Sequence, residues 1–310
     1  MSPIRRVAML VNPQAGHGAS RRAADAAAAR LAARDVGVRT LVGGSADESR
    51  ELACQAVLDG VDALVVVGGD GMIRCALPAV VGTGTPLGVV PAGTGNDQAR
   101  HYGWPRGVRR APEAADVVAD GRSVAVDVGV AETSDGRRTY FGSVLASGFD
   151  SLVSDRTNRM QWPHGRARYN LAMLVEFVGL RPLPATITLG DGTVVSQDVL
   201  LVAVGNTTSY GGGMRICPDA DPSDGLLDVT IGAAASRRHV LAQLPRVYRG
   251  THVRRPDTTT VRTDRVRIEM GTGINAYADG DHLGPLPVDV TVLPGALRLL
   301  VPGTTKARVG

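Results

Sequence analysis

Three apolar runs punctuate the first part of the chain: Val7 to Val11, Ala63 to Val67 and Leu87 to Val90. Two alanine-rich stretches of helical character, about Ser20 to Asp35 and Asp47 to Asp59, lie between the first run and the second. Apolar runs that alternate with helical segments predict strands joined by crossover helices, and therefore a parallel sheet. Ser20 is the predicted cap of the first helix. Each run passes directly into a glycine-rich turn, namely NPQAGHG, GGDG and PAGTGND. In a parallel sheet these turns emerge together at the carboxyl edge, where ligands of open α/β sheets bind.

From about Val124 the pattern changes to shorter, alternating strands. Asp191-Gly192, between Thr186 to Leu189 and Val194 to Val204, is a hairpin signal, so an antiparallel sandwich or barrel is expected. Helical stretches interrupt it near Gly165 to Gly179 and Ser236 to Arg249, the second predicted to break or bend at Pro245. The expected fold is thus an α/β N-terminal domain with a parallel sheet, residues 1–125, and a mainly antiparallel β-sandwich C-terminal domain, residues 126–295. Residues 296–310 are expected to return to the first domain.

Composition narrows the function classes. No apolar run approaches the roughly 20 residues that span a bilayer, and Asn12 and Pro13 interrupt the N-terminal run, so neither a transmembrane span nor a signal peptide is expected. The expected location is the cytoplasm, with peripheral contact at the inner face of the membrane. Cys54, Cys75 and Cys217 have no paired spacing, which argues against a disulfide framework or a zinc site. A net charge of +4 does not call for nucleic acid. Lys306 is the only lysine, so no glycine loop is followed by the lysine of a Walker-type phosphate loop.

The candidate chemistry lies in the turns. Glycines let backbone amides approach phosphate oxygens without a lysine, which is the functional reading of Gly16, Gly18, Gly68, Gly69, Gly71, Gly93 and Gly95. For any single loop, simple closure of a strand-to-helix turn suffices. Three loops on one edge, carrying Asn12, Asp70, Thr94 and Asn96, weigh against that explanation. Asp70 would repel phosphates unless a metal ion or a ribose hydroxyl intervened, and a nucleotide with magnesium resolves the conflict. In the second half, PDADPSDGLLD gathers Asp219, Asp221, Asp224 and Asp228; clustered oxygen ligands suit a hard cation, and a polar surface turn explains them equally well.

NPQAGHG, VVVGGDGM and GVVPAGTGND resemble the nucleotide-loop signatures of the diacylglycerol kinase catalytic family, which includes bacterial diacylglycerol kinases and also covers sphingosine and ceramide kinases. The resemblance continues through VDVG at Val126 to Gly129, SGFD at Ser147 to Asp150, the segment Val204 to Val229, and ADGD at Ala278 to Asp281. GGDG alone also occurs in NAD kinases; the ordered set is far more specific. The resemblance implies an ATP- and magnesium-dependent kinase acting on a lipid alcohol, most simply diacylglycerol, with transient membrane-surface contact. It implies that Asn12, Pro13, Gly16, Gly68, Gly69, Asp70, Gly71, Met72, Thr94, Gly95 and Asn96 bind ATP and its Mg2+. It further implies a structural magnesium site at Asp221, Asp224 and the carbonyl of Leu226, and a proton acceptor at Asp281, with Asp279 and Asp70 as alternatives. Met72 stands where threonine is common in the family, and Gln98 where an aromatic residue is usual.

Two arginine clusters bear on the acceptor. Arg237, Arg238, Arg246, Arg249, Arg254 and Arg255 fall in a stretch without acidic residues, and Arg156, Arg159, Arg166 and Arg168 form the second group. Either face attracts anionic headgroups or is simply a solvated helix surface. A soluble-substrate kinase such as an NAD kinase, and a catalytically silent nucleotide sensor, are the competing readings; a homodimer is the default assembly.

Overall fold

The computed structural model describes residues 3–12, 18–160, 162, 171–172, 175–177 and 179–305, the side chains of Asp150 and Asn158 excepted. By their contacts the residues form two units, 1–128 with 293–310, and 129–292.

The first unit alternates strand and helix: β1 (Arg6–Val11), α1 (Ala19–Ala32), β2 (Gly37–Val42), α2 (Ala46–Leu58), β3 (Ala63–Gly68), α3 (Asp70–Val80), β4 (Leu87–Pro91), α4 (Asp97–Tyr102) and α5 (Ala111–Asp120). The strands are parallel in the order β2-β1-β3-β4. Every residue of β3 and β4 is buried, as in a sheet covered on both faces. Leu31, Met9, Val65 and Val118 belong to the core between sheet and helices.

Two local expectations change here. The α1 cap is Gly18, at φ 81°, while Ser20 sits inside the first turn, buried, with its hydroxyl unpartnered. The burial of its side chain takes Ser20 out of the capping position. Strand β2, absent from the sequence reading, is largely exposed, and only Leu41 among its residues is buried.

The second unit is built from the end of β5 (Ser123–Thr133), then β6 (Arg138–Phe141), β7 (Val144–Gly148), α6 (Phe149–Arg159), β8 (Leu183–Leu189), β9 (Val194–Gly205), β10 (Leu227–Ala233), α7 (Arg237–Arg249), β11 (Thr258–Thr263), β12 (Arg265–Met270), β13 (Asn275–Ala278), β14 (Asp281–Pro285) and the start of β15 (Val288–Leu300). Its pairings are antiparallel. The long strand β9 carries the architecture, pairing with β8 through its first half and with β7 and β10 through its second. The β8–β9 hairpin turns at Asp191-Gly192, where Gly192 has φ 87°.

Phe141, fully buried, lies across Gly129 in the neighbouring strand; a Cβ at Gly129 would stand 2.2 Å from the ring. The glycine of VDVG thus makes room for the core. Helix α7 is capped by the Ser236 hydroxyl, which accepts from the His239 amide at 3.4 Å, and it continues through Pro245 without the expected break. The helix predicted near Gly165 to Gly179 lies largely outside the described residues.

Candidate functional site

In the first unit the loops after β3 and β4 meet backbone to backbone. A Cβ on Gly93 would fall 2.4 Å from the Gly69 Cα, so neither loop could hold its path with a side chain at that point. The Asn96 amide nitrogen donates to the Gly93 carbonyl at 2.7 Å and fixes the second loop, while Asn96 itself adopts φ 54°. Its Oδ1 is buried and unpartnered, beside the two glycines.

Asp70 opens α3, and its two oxygens accept the Asp97 and Gln98 amides, each at 3.0 Å. The carboxylate therefore caps α4 from a different loop, and the positive helix end offsets its charge. Arg100, missed in the sequence, donates to the Gly95 and Asn96 carbonyls at 2.8 and 3.2 Å and to Asp97 Oδ1 at 3.0 Å. It ties the loop carbonyls to the first turn of α4. Thr94 and Gly71 are exposed and Met72 half-buried; Asn12 is exposed just after β1. Pro13 and Gly16 lie outside the described residues.

In the second unit ADGD forms the turn between β13 and β14. Asp279 adopts φ 50°, and its two oxygens accept the Gly142 and Ser143 amides, each at 2.8 Å. Behind it, buried Asp155 on α6 accepts from the Tyr277 hydroxyl at 2.6 Å and from Asn275 at 2.9 Å. The hairpin is anchored from two sides, and half-buried Asp281 begins the outgoing strand.

The acidic turn is arranged differently. Asp221 Oδ1 accepts from the Ser223 amide and hydroxyl, at 3.1 and 2.6 Å, and Asp224 Oδ1 from the Leu226 amide at 3.0 Å. Asp224 is also ion-paired with Arg262. Burial, with Asp219 and Asp221 nearby, pushes the Asp228 carboxyl up to about 6. No group of three or more His, Cys, Asp or Glu able to hold a metal occurs among the described residues. The Asp224 carboxylate is thus shared between its own turn and the Arg262 guanidinium.

Residues 6–131 match the diacylglycerol kinase catalytic domain, and residues 143–301 match the YegS C-terminal NAD kinase beta sandwich-like domain. Over 299 residues the chain is 48% identical to a diacylglycerol kinase of Mycobacterium tuberculosis, covering 96% of each. The chain belongs to the diacylglycerol kinase catalytic family. It is accordingly a kinase that phosphorylates an alcohol. A solved diacylglycerol kinase from Bacillus anthracis str. Sterne shares the kinase's fold, with TM-score 0.72 at 20% identity, over 98% of this chain and 99% of that one. Yeast NADH kinase complexed with NADH is a more distant fold relative, with TM-score 0.55 at 14% identity, over 97% of this chain and 84% of that one.

Among the described residues no helix is long and apolar enough to cross a membrane. Cys54, Cys75 and Cys217 are free thiols, and burial pushes Cys217 up to about 12.

Proposed function

We propose that this kinase transfers the terminal phosphoryl group of magnesium-bound ATP to the hydroxyl of a membrane lipid, diacylglycerol first among the candidates. The observation that carries the reading is the pair of apposed glycines, Gly69 and Gly93, at the head of two strand-to-helix loops, in a chain 48% identical to a named diacylglycerol kinase. Magnesium enters with the nucleotide as part of the substrate.

Gly68, Gly69, Gly71, Met72, Thr94, Gly95 and Asn96 line the nucleotide, joined by Asn12, Pro13 and Gly16 from the first loop. Backbone amides at the start of α3 face the phosphates, where the helix end favours negative charge. Asp70 holds the third loop in register through its two amide bonds, and Arg100 keeps that loop's carbonyls away from the anion. Phosphoryl transfer asks the protein chiefly for such positioning and charge neutralisation.

The proton of the acceptor hydroxyl passes to Asp281. Both oxygens of Asp70 and both of Asp279 already accept backbone amides, which favours positioning roles for those two carboxylates. The acceptor is reached from the aqueous side, at the inner face of the membrane.

The test is transfer of labelled phosphate from ATP and magnesium to dispersed diacylglycerol, a prenol, a sphingoid base and NAD, with Asp281→Asn in parallel. Labelled phosphatidic acid, reduced at least about a hundredfold in the variant, is the expected result. Label on NAD alone would replace the lipid acceptor by a soluble one.

A further inference from the structure

Helix α7 has an exposed apolar face that the reaction chemistry does not use. Leu241, Leu244 and Tyr248 recur at helical spacing and are 53%, 38% and 55% exposed. They make one stripe. None of the helix's thirteen residues is buried. Yet the helix is tied down: the Val247 carbonyl accepts the Arg215 amide at 3.1 Å, and His239 meets Asp257 at 2.6 Å.

Arg238 and Arg249 flank the stripe along one side. Arg237, Arg238, Arg246 and Arg249 lie on the helix, with Arg254 and Arg255 just beyond it, all exposed. Among the described residues none of the six pairs with a carboxylate. Asp257, beside the helix, is engaged by His239 and Gln243. The face is therefore apolar along the stripe and uncompensated positive along one margin.

Leu244 also joins Val240 and Val247 in lining a cavity of about 130 Å³ beneath the helix. Apolar surface thus runs from the exposed stripe into the protein, an arrangement suited to hydrocarbon chains.

We infer that α7 is the membrane-docking element: it lies in the headgroup plane of an anionic bilayer, with Leu241 and Tyr248 immersed and Arg238 and Arg249 against the lipid phosphates. A charged helix with one apolar stripe binds an interface by buried apolar area together with attraction to anionic lipid. This inference rests on the lipid-acceptor reading above for its purpose, and on charge and exposure for its partner.

The experiment is co-sedimentation of the whole protein with vesicles of phosphatidylcholine, with and without phosphatidylglycerol. Wild type is expected to bind the anionic vesicles. Leu241→Ser with Tyr248→Ser should weaken that binding at least about tenfold. Arg238→Gln with Arg249→Gln should weaken it about twenty-fivefold, at about fivefold per arginine, without changing binding to neutral vesicles. Equal binding by wild type and both variants would overturn the inference. So would a concentration-dependent dimer that the Leu241–Tyr248 variant dissolves, because the stripe would then face a second copy.

Transfer to a short-chain diacylglycerol dispersed below its aggregation limit separates this inference from the acceptor reading. Retained transfer by a variant that no longer binds vesicles supports both. Lost vesicle binding, with no transfer to any lipid even by wild type, leaves the docking surface standing and removes the acceptor reading alone.

Discussion

Asp70 in the first unit and Asp279 in the second do the same physical work, while Asp221 and Asp224 do something else. Each of the first two spans a long sequence distance and accepts two consecutive amides: Asp97 and Gln98 in one case, Gly142 and Ser143 in the other. Asp221 and Asp224 accept amides only two residues along their own turn, Asp224 adding the ion pair with Arg262. A carboxylate that joins two loops sets the position of both, whereas one that closes its own turn stiffens only itself. The family motifs therefore contain two kinds of acid, one that builds the site's frame and one that folds a loop.

The strongest way to break the frame in the first unit is at its backbone contact. Gly93→Ala forces a Cβ against Gly69, and overpacking of this kind costs about 3 kcal/mol at its upper end. Nucleotide binding, measured by calorimetry, should disappear before the fold does; ATP bound at wild-type affinity would refute the apposed-loop reading.

Asp279→Ala leaves two amides without their charged partner, and a loss of about 2 kcal/mol in urea unfolding is expected. Asp279→Asn should recover part of it, since an amide oxygen can still accept one bond. A base that merely titrates would give the reverse pattern, with full stability and no turnover in both variants.

Asp221→Ala and Asp224→Ala sharpen the contrast from the other side. Each should cost less than about 1 kcal/mol, because only a local turn and an exposed ion pair are lost. Chelation of magnesium should leave the apo protein's melting temperature unchanged; a drop of several degrees would show that a resident cation displaces Arg262 from Asp224.

The smallest effect is a slope. Burial lowers His252 below its ordinary value of 6.5, so the unfolded chain takes up its proton first as the pH falls. Its contribution to stability is therefore held above pH 6.5 and declines from there toward the lower folded value. His252→Gln should flatten that part of the curve of melting temperature against pH. An unchanged slope would assign the acid sensitivity to other groups.

What the sequence made legible was whatever depends on near neighbours. The runs at Val7, Ala63 and Leu87 became strands because an all-apolar run has one stable home in a covered sheet, and Asp191-Gly192 turned because glycine tolerates φ 87° there. Strand β2 escaped notice because it is largely exposed, with Leu41 its one buried residue. The partners of Asp70 and Asp279 stand 27 and 137 residues away, and no local pattern encodes such a distance. Arg100 was missed for the same reason in miniature, since its targets are carbonyls that any residue could have supplied.

The division of the chain has a consequence for its birth on the ribosome. The first unit includes residues 293–301, whose carbonyls at Ala296 and Leu300 receive the Gly82 amide and the Trp104 indole, both at 2.8 Å. Those residues emerge only after all of residues 129–292, so the nascent first unit waits roughly ten to thirty seconds with the free edge of β4 uncovered. The later unit is the earlier one to be completed, and the kinase comes into being from its middle outward.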